Sequence, residues 1–181
     1  MDSQVYNKFK GQYDTTVTYV KEVIDSPFKD NTGQTAYKLF RWTTRDTSIG
    51  WTTQRAWTEK LTAAEAQRWE ENIRYVPLFF PVKLNYSWNG NAYNTIDSFS
   101  EYSYFYKEVH VPFTVAGIKY DSTVLVSDAS HFDGIHGLVQ SERYAAGVGL
   151  IYRERMDTLN QGNGLEHGSF FSKQTLLQYT R

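Results

Sequence analysis

Turn-forming residues interrupt this chain at short intervals, and the segments between them are rich in β-branched and aromatic residues. That combination constrains the fold more than any other feature, because it matches short antiparallel strands and leaves no room for long helices. Thr15–Ile24 reads as a strand broken by Asp25-Ser26-Pro27, and Asp30-Asn31-Thr32-Gly33 reads as a turn. Thr35–Thr43 and Trp51–Trp57 form the next runs, predicted to pair as a hairpin through Arg45-Asp46-Thr47. Pro77 and Pro81 bracket Leu78-Phe79-Phe80, which places that segment at a strand end or sheet edge, since proline donates no ladder hydrogen bond. Asn89-Gly90 within Trp88–Asn91 is a strong turn signal. Further strands are predicted at Ser122–Ser127, Ser141–Met156 and Phe170–Tyr179, with Gly162, Gly164 and Gly168 in a loop before the last.

Two segments invite closer reading. Thr62-Ala63-Ala64-Glu65 has the form of a capping box, and Ala66, Trp69 and Ile73 follow at helical spacing. A short helix over 62–74 is the local expectation, with a strand running into Arg74-Tyr75-Val76 as its competitor. From Tyr102 to Phe113 the pattern alternates instead. Phe105, Val109, Val111 and Phe113 share one parity and are predicted to face a core. Tyr102, Tyr104, Tyr106, Glu108 and His110 share the other and are predicted to form a partly wet aromatic face.

At 181 residues, 40% hydrophobic and 17% aromatic, the chain is long enough to bury a core and too apolar for disorder. No repeat or linker divides it, so a single domain over 1–181 is expected, with residues 1–12 as a flexible N-terminal segment. A net charge of −1 supplies no basic field for nucleic acid and no polybasic membrane patch. With no cysteine there is no disulfide, thiolate metal site or cysteine nucleophile. The longest apolar run, Val76–Val82, is too short to span a bilayer. No signal peptide is legible; the chain opens at Met1-Asp2-Ser3, and an export signal is expected upstream of it.

Three passages carry a family resemblance. Leu78-Phe79-Phe80-Pro81-Val82 followed by Trp88-Asn89-Gly90-Asn91-Ala92-Tyr93 resembles the "FPv…WnGNayN" pattern of small uncharacterised cell-envelope lipoproteins of Bacteroidetes. Tyr144–Tyr152 resembles their "YaxGVGlI" strand, and Lys107–Phe113 their "vtVPfGtf" segment. The resemblance implies an exported protein of the periplasm or outer membrane, lipid-anchored through an acylated cysteine upstream of Asp2. It also implies a curved antiparallel sheet or half-barrel similar to envelope lipid carriers. It carries over no catalytic residue. In a period-2 element, Ala145, Gly147 and Gly149 would share one face, where glycine marks a sheet bend or the close approach of a ligand.

Candidate chemistry is sparse. Asp128, His131, Asp133 and His136 offer two imidazoles and two carboxylates to a divalent ion, against the plainer reading of a polar loop. There is no nucleophile elbow, and Gly147-Val148-Gly149 lacks the third glycine of a dinucleotide loop. Glu70, Glu71, Glu108, Glu142 and Glu154 are available for glycosidase-type pairs, but nothing in the sequence sets two of them face to face. Tyr102, Tyr104 and Tyr106, with Trp88, Gly147 and Gly149, are the candidate ligand-binding residues; core packing is the competing role for the aromatics.

The expectation is therefore a mainly β protein, a single antiparallel curved sheet forming a half-barrel or open barrel or sandwich, with at most one short helix. It is expected to be a non-enzymatic, lipid-anchored envelope protein that binds a lipid or other apolar or amphipathic small molecule on a concave aromatic-lined face. A carbohydrate-binding or protein-interaction module is the alternative. No cofactor and no nucleic-acid partner are expected, and membrane contact runs only through the lipid anchor.

Overall fold

A computed structural model describes residues 1–95, 103–128, 131–132, 136–159 and 168–180. The first strands are β1 (Asp2–Asn7), β2 (Gln12–Val17), β3 (Tyr19–Lys29), β4 (Thr35–Thr44), β5 (Thr53–Leu61), β6 (Glu65–Glu70) and β7 (Ile73–Phe79). They are followed by β8 (Ser87–Asn89), β9 (Ser103–Val115), β10 (Ile118–Asp128), β11 (His131–Phe132), β12 (His136–Ala145), β13 (Gly149–Leu159) and β14 (Phe170–Thr175). One 3-10 turn, Thr47–Ile49, is the only helical element among the described residues. The fold is mainly β, as the turn spacing predicts. Its strands form two antiparallel sheets rather than one continuous sheet, and neither closes into a barrel.

The chain falls into two compact units, Met1–Val17 with Phe105–Arg181, and Thr18–Tyr104. In the first, the strand order is β2-β1-β14-β13-β12-β10-β9, with β11 beside β12. Residues 1–12, expected to be flexible, instead supply β1, which pairs with β14 on one side and β2 on the other. That partner is far along the chain, so no local pattern announces it. Ala116 and Gly117 join β9 to β10 with positive φ at both positions (50° and 78°), the geometry whose twist suits a two-residue hairpin. The predicted strand Ser141–Met156 is two strands: the chain reverses at Ala146-Gly147-Val148, where Gly147 takes φ 70°. Tyr120, Ala145 and Ile151 are buried there, with Phe113, Val115, Ile118, Val148 and Leu176 packed around them.

The second unit holds a five-stranded sheet in the order β3-β4-β5-β6-β7. The β4–β5 hairpin forms as predicted, Thr43 facing Thr53. Asp46 caps the 3-10 turn between them by accepting from Ser48 N at 2.9 Å. The Asp30–Gly33 turn is also present: Asp30 accepts from the backbone N–H groups of Thr32 and Gln34. Lys60, buried in β5, reaches the same carboxylate at 2.5 Å, and that ammonium, then the Thr32 hydroxyl, holds Asp30 well below the usual carboxylate range. Asp25-Ser26-Pro27 does not end the strand but bulges it, since pairing resumes at Pro27 opposite Tyr37.

The helix expected at 62–74 is absent. Thr62 Oγ1 does accept from Glu65 N, as a capping hydroxyl would, but Thr62 N donates back to Glu65 O and closes a tight turn. Glu71 and Asn72, both at positive φ, then reverse β6 into β7. Ala66, Trp69 and Ile73 thus belong to strands. β7 is an edge strand, where the proline rule placed its segment.

In this unit Trp88, in β8, and Tyr104 meet edge to face at 6.0 Å. Trp88 Nε1 donates to Val76 O at 2.8 Å, and Gly90 lies so close under the Tyr104 ring that a β-carbon there would collide with it. Since Tyr104 is itself buried, the ring has little room to retreat. Gly90→Ala is expected to lower stability by about 1–3 kcal/mol, read as a reduced urea midpoint at unchanged slope. A midpoint equal to the parent protein's would contradict this packing.

Candidate functional site

Burial alternates only at the start of β9, and there it runs opposite to the expectation. Tyr104 and Tyr106 are buried, whereas Val111, on the predicted core parity, is exposed. His110 takes φ 56°, a local irregularity between the two halves of the strand. Tyr102 lies outside the described residues. Buried rings offer no open face for stacking, so Tyr104, Tyr106 and the buried Trp88 serve as packing residues. Gly147 and Gly149 sit at the β12–β13 reversal with φ of 70° and 104°. A β-carbon on Gly149 would meet nothing within 4 Å, so backbone conformation rather than close approach explains this glycine.

Of the metal constellation, Asp128 ends β10, and His131 and His136 contribute backbone to β11 and β12. The side chains of both histidines, and all of Asp133, lie outside the described residues. Among those described, no group of three His, Asp or Glu side chains is placed to hold a metal.

Asp128 belongs instead to a buried polar cluster. Its Oδ1 accepts from Gln140 N at 3.1 Å. On the same face of β12, two residues further on, Glu142 accepts from Arg153 Nε at 2.6 Å, from the Tyr144 hydroxyl and from Gln140 Nε2 at 3.4 Å. Burial pushes the Asp128 carboxyl up to about 6, Glu142 adding to the rise while Gln140 N–H and Arg155 oppose it. On the opposite face, Arg143 is equally enclosed: it donates to Thr123 Oγ1 at 3.0 Å and Glu108 Oε2 at 2.7 Å, and stacks 4.2 Å from the Phe113 ring centre. Glu108, Glu142 and Arg153 are thus committed to partners within the sheet.

A second cluster lies on β6, β7 and the turn after β8. Glu65 accepts from the Gln67 amide and from the Tyr93 hydroxyl at 2.6 Å. The Arg74 guanidinium lies 3.4 Å from the Tyr93 ring centre and 4.9 Å from that of Trp69. Gln67 Oε1 and Arg74 Nε are buried without a hydrogen-bond partner among the described residues.

The remaining candidate is an open cleft of about 380 Å³ in the Thr18–Tyr104 unit, lined by Thr18, Thr43, Thr44, Arg45, Ile49 and Thr52. Its walls are fixed by local bonding. Thr44 Oγ1 donates to Asp46 O at 2.8 Å and accepts from Asp46 N, while Thr52 donates to Thr43 O through both its N–H and its hydroxyl. Arg45 is exposed and makes no ion pair or hydrogen bond with another described residue. Ile49 is 72% exposed. Nothing in the sequence singled out this cleft, because its residues are ordinary turn and strand-end types that only the β4–β5 hairpin assembles.

No protein-family model matches the chain, and no curated protein or solved structure matches it either.

The Asp128 environment has a pH signature. Its folded pKa lies above the unfolded value, so the folded state holds a proton that the unfolded chain has released. Stability therefore falls as pH rises from about 4 towards about 6, and the cost persists above that. Asp128→Asn keeps an acceptor for Gln140 N and removes the buried charge. Its stability gain over the parent is expected to be small at pH 4.5 and to grow up to pH 7.5 in urea titrations; a pH-independent difference would contradict the assignment.

Proposed function

We propose that this chain is a non-catalytic binding protein of the cell envelope, held there by a lipid anchor, whose ligand is an amphipathic molecule with an anionic head. The envelope setting rests on the resemblance of Phe80-Pro81, Trp88–Tyr93 and Tyr144–Tyr152 to envelope lipoproteins. The ligand class rests on one observation: Arg45, a cation without an ion pair or hydrogen bond among the described residues, stands in the threonine-lined cleft with exposed Ile49. An uncommitted guanidinium suits a carboxylate or phosphate, and the adjoining aliphatic surface suits the start of an apolar chain. The cleft volume falls in the range of small-molecule sites. None of its lining residues is a carboxylate, an imidazole or a thiol, which speaks for binding rather than catalysis.

A carbohydrate ligand is the second reading. It is favoured by Tyr93, 46% exposed and backed by Arg74 and Glu65, because a half-open ring beside planar polar groups is the chemistry that sugars engage.

The test is native mass spectrometry of protein purified without detergent, followed by organic extraction. The expected result is a near-stoichiometric anionic amphipath on the parent protein and about tenfold less on Arg45→Ala, the loss of one charge-assisted contact. Equal retention by the two proteins, or a parent protein that carries nothing, would count against the reading.

A further inference from the structure

β3 is an edge strand of the five-stranded sheet, with β4 as its partner and nothing paired to its other side among the described residues. Its residues are mostly exposed, including Val23 at 40% and Ile24 at 61%. An edge of this kind offers free backbone donors and acceptors to another strand.

The strand's charges are unevenly committed. Glu22 is engaged by Arg41 at 3.5 Å. Lys21 lies 5.5 Å from the Trp42 ring centre, and among the described residues Asp25 accepts only from the Ser26 hydroxyl at 3.5 Å. Neither Lys21 nor Asp25 makes an ion pair with a described residue of its own chain.

Symmetry narrows what a second copy could do here. Two identical strands paired antiparallel are related by a two-fold axis perpendicular to the sheet, and residues that face each other share a side of it. The axis must therefore pass through one residue, which faces its own copy. Centring on Lys21 or on Glu22 sets like charges directly opposite each other, which is destabilising. Centring on Ile24 sets Asp25 against Val23 and carries Lys21 to Pro27, which has no N–H to give. Centring on Val23 sets valine on valine, Glu22 beside Ile24, and Lys21 against Asp25 of the other copy, twice.

We propose that β3 is a homodimerisation edge, pairing antiparallel with β3 of a second copy in the register centred on Val23. The two uncommitted charges of the edge then neutralise each other across the two-fold, and the exposed valine is covered. Regular pairing of β3 ends at Ile24 and Asp25 opens the bulge, so the dimer ladder is short and the dimer weak and concentration-dependent. This interface is independent of the cleft.

Sedimentation velocity on the full chain tests it through charge reversal. The parent protein is expected to dimerise with rising concentration up to the hundred-micromolar range. Lys21→Asp alone and Asp25→Lys alone should each weaken dimerisation by about tenfold or more, because each creates two like-charge contacts. Mixing the two single variants should restore a dimer, since both facing pairs are then opposite in sign. The mixture also guards against misfolding, because a damaged variant would not be rescued by its complement. A parent protein that stays monomeric, or dimers indifferent to both reversals, or a mixture that remains monomeric, would each overturn the proposal.

Discussion

Glu142 cannot be buried without its donors, and the strongest of them comes from the neighbouring strand. Arg153 faces Glu142 across the β12–β13 ladder. Because side chains alternate from face to face, slipping the register by one residue would send the guanidinium to the other side of the sheet. A buried carboxylate stripped of its partner costs about 3–5 kcal/mol, a large share of a domain's stability. The next residue, Arg143, applies the same constraint on the opposite face through Thr123 of β10 and Glu108 of β9. Two adjacent residues of opposite charge thus tie β12 to three other strands, one on each side of the pleat. Nearly as many polar and charged residues as apolar ones are buried among those described, and these pairings are what make that burial tolerable.

The second unit repeats the principle with different partners. Lys60 is buried against Asp30, and the half-buried Arg68 and Arg41 pair with Glu59 and Glu22. The aromatic content contributes here as much through its faces as through its area. Arg41 lies 4.7 Å from the Trp57 ring centre, and Arg74 lies against both Tyr93 and Trp69. A guanidinium is weakly hydrated and planar, so it can leave water on a ring face more readily than an ammonium can. These arginines are consequently part of the sheet's packing. Arg45 differs from them in being exposed and without an ion pair among the described residues, and for that reason the cleft rather than the buried clusters carries the proposed function.

Local chemistry was legible in the sequence where it was self-contained. The Asp30–Gly33 turn, the β4–β5 hairpin and the edge position of the Pro77 segment each follow from residues within a few positions of one another. Local pattern and structure part where two structures share one signature. Thr62 and Glu65 make a capping contact whether a helix or a tight turn follows, and the positive φ values at Glu71 and Asn72 that decide for strands leave no mark in residue type. At Tyr104 and Tyr106, alternation does not say which face is covered, and the irregularity at His110 brings Glu108 and Phe113, of opposite predicted parity, to the same Arg143 guanidinium. The glycines near Gly147 read as a bend in one strand because the reversal occupies only three residues. The candidate site was the least legible part. Its threonines are commonplace individually, and the cluster around Glu142 depends on pairings between strands that sequence spacing does not encode.

The charges buried around Glu142 are structural, a role fixed by the Arg153 pairing. A double-mutant cycle between Glu142→Gln and Arg153→Gln, followed by urea unfolding, tests it most directly. Structural residues should each destabilise the protein when changed, with a coupling of about 2–3 kcal/mol between them. Single variants as stable as the parent, or more stable, with no coupling, would mark the cluster as a strained site kept for chemistry and would contradict the claim.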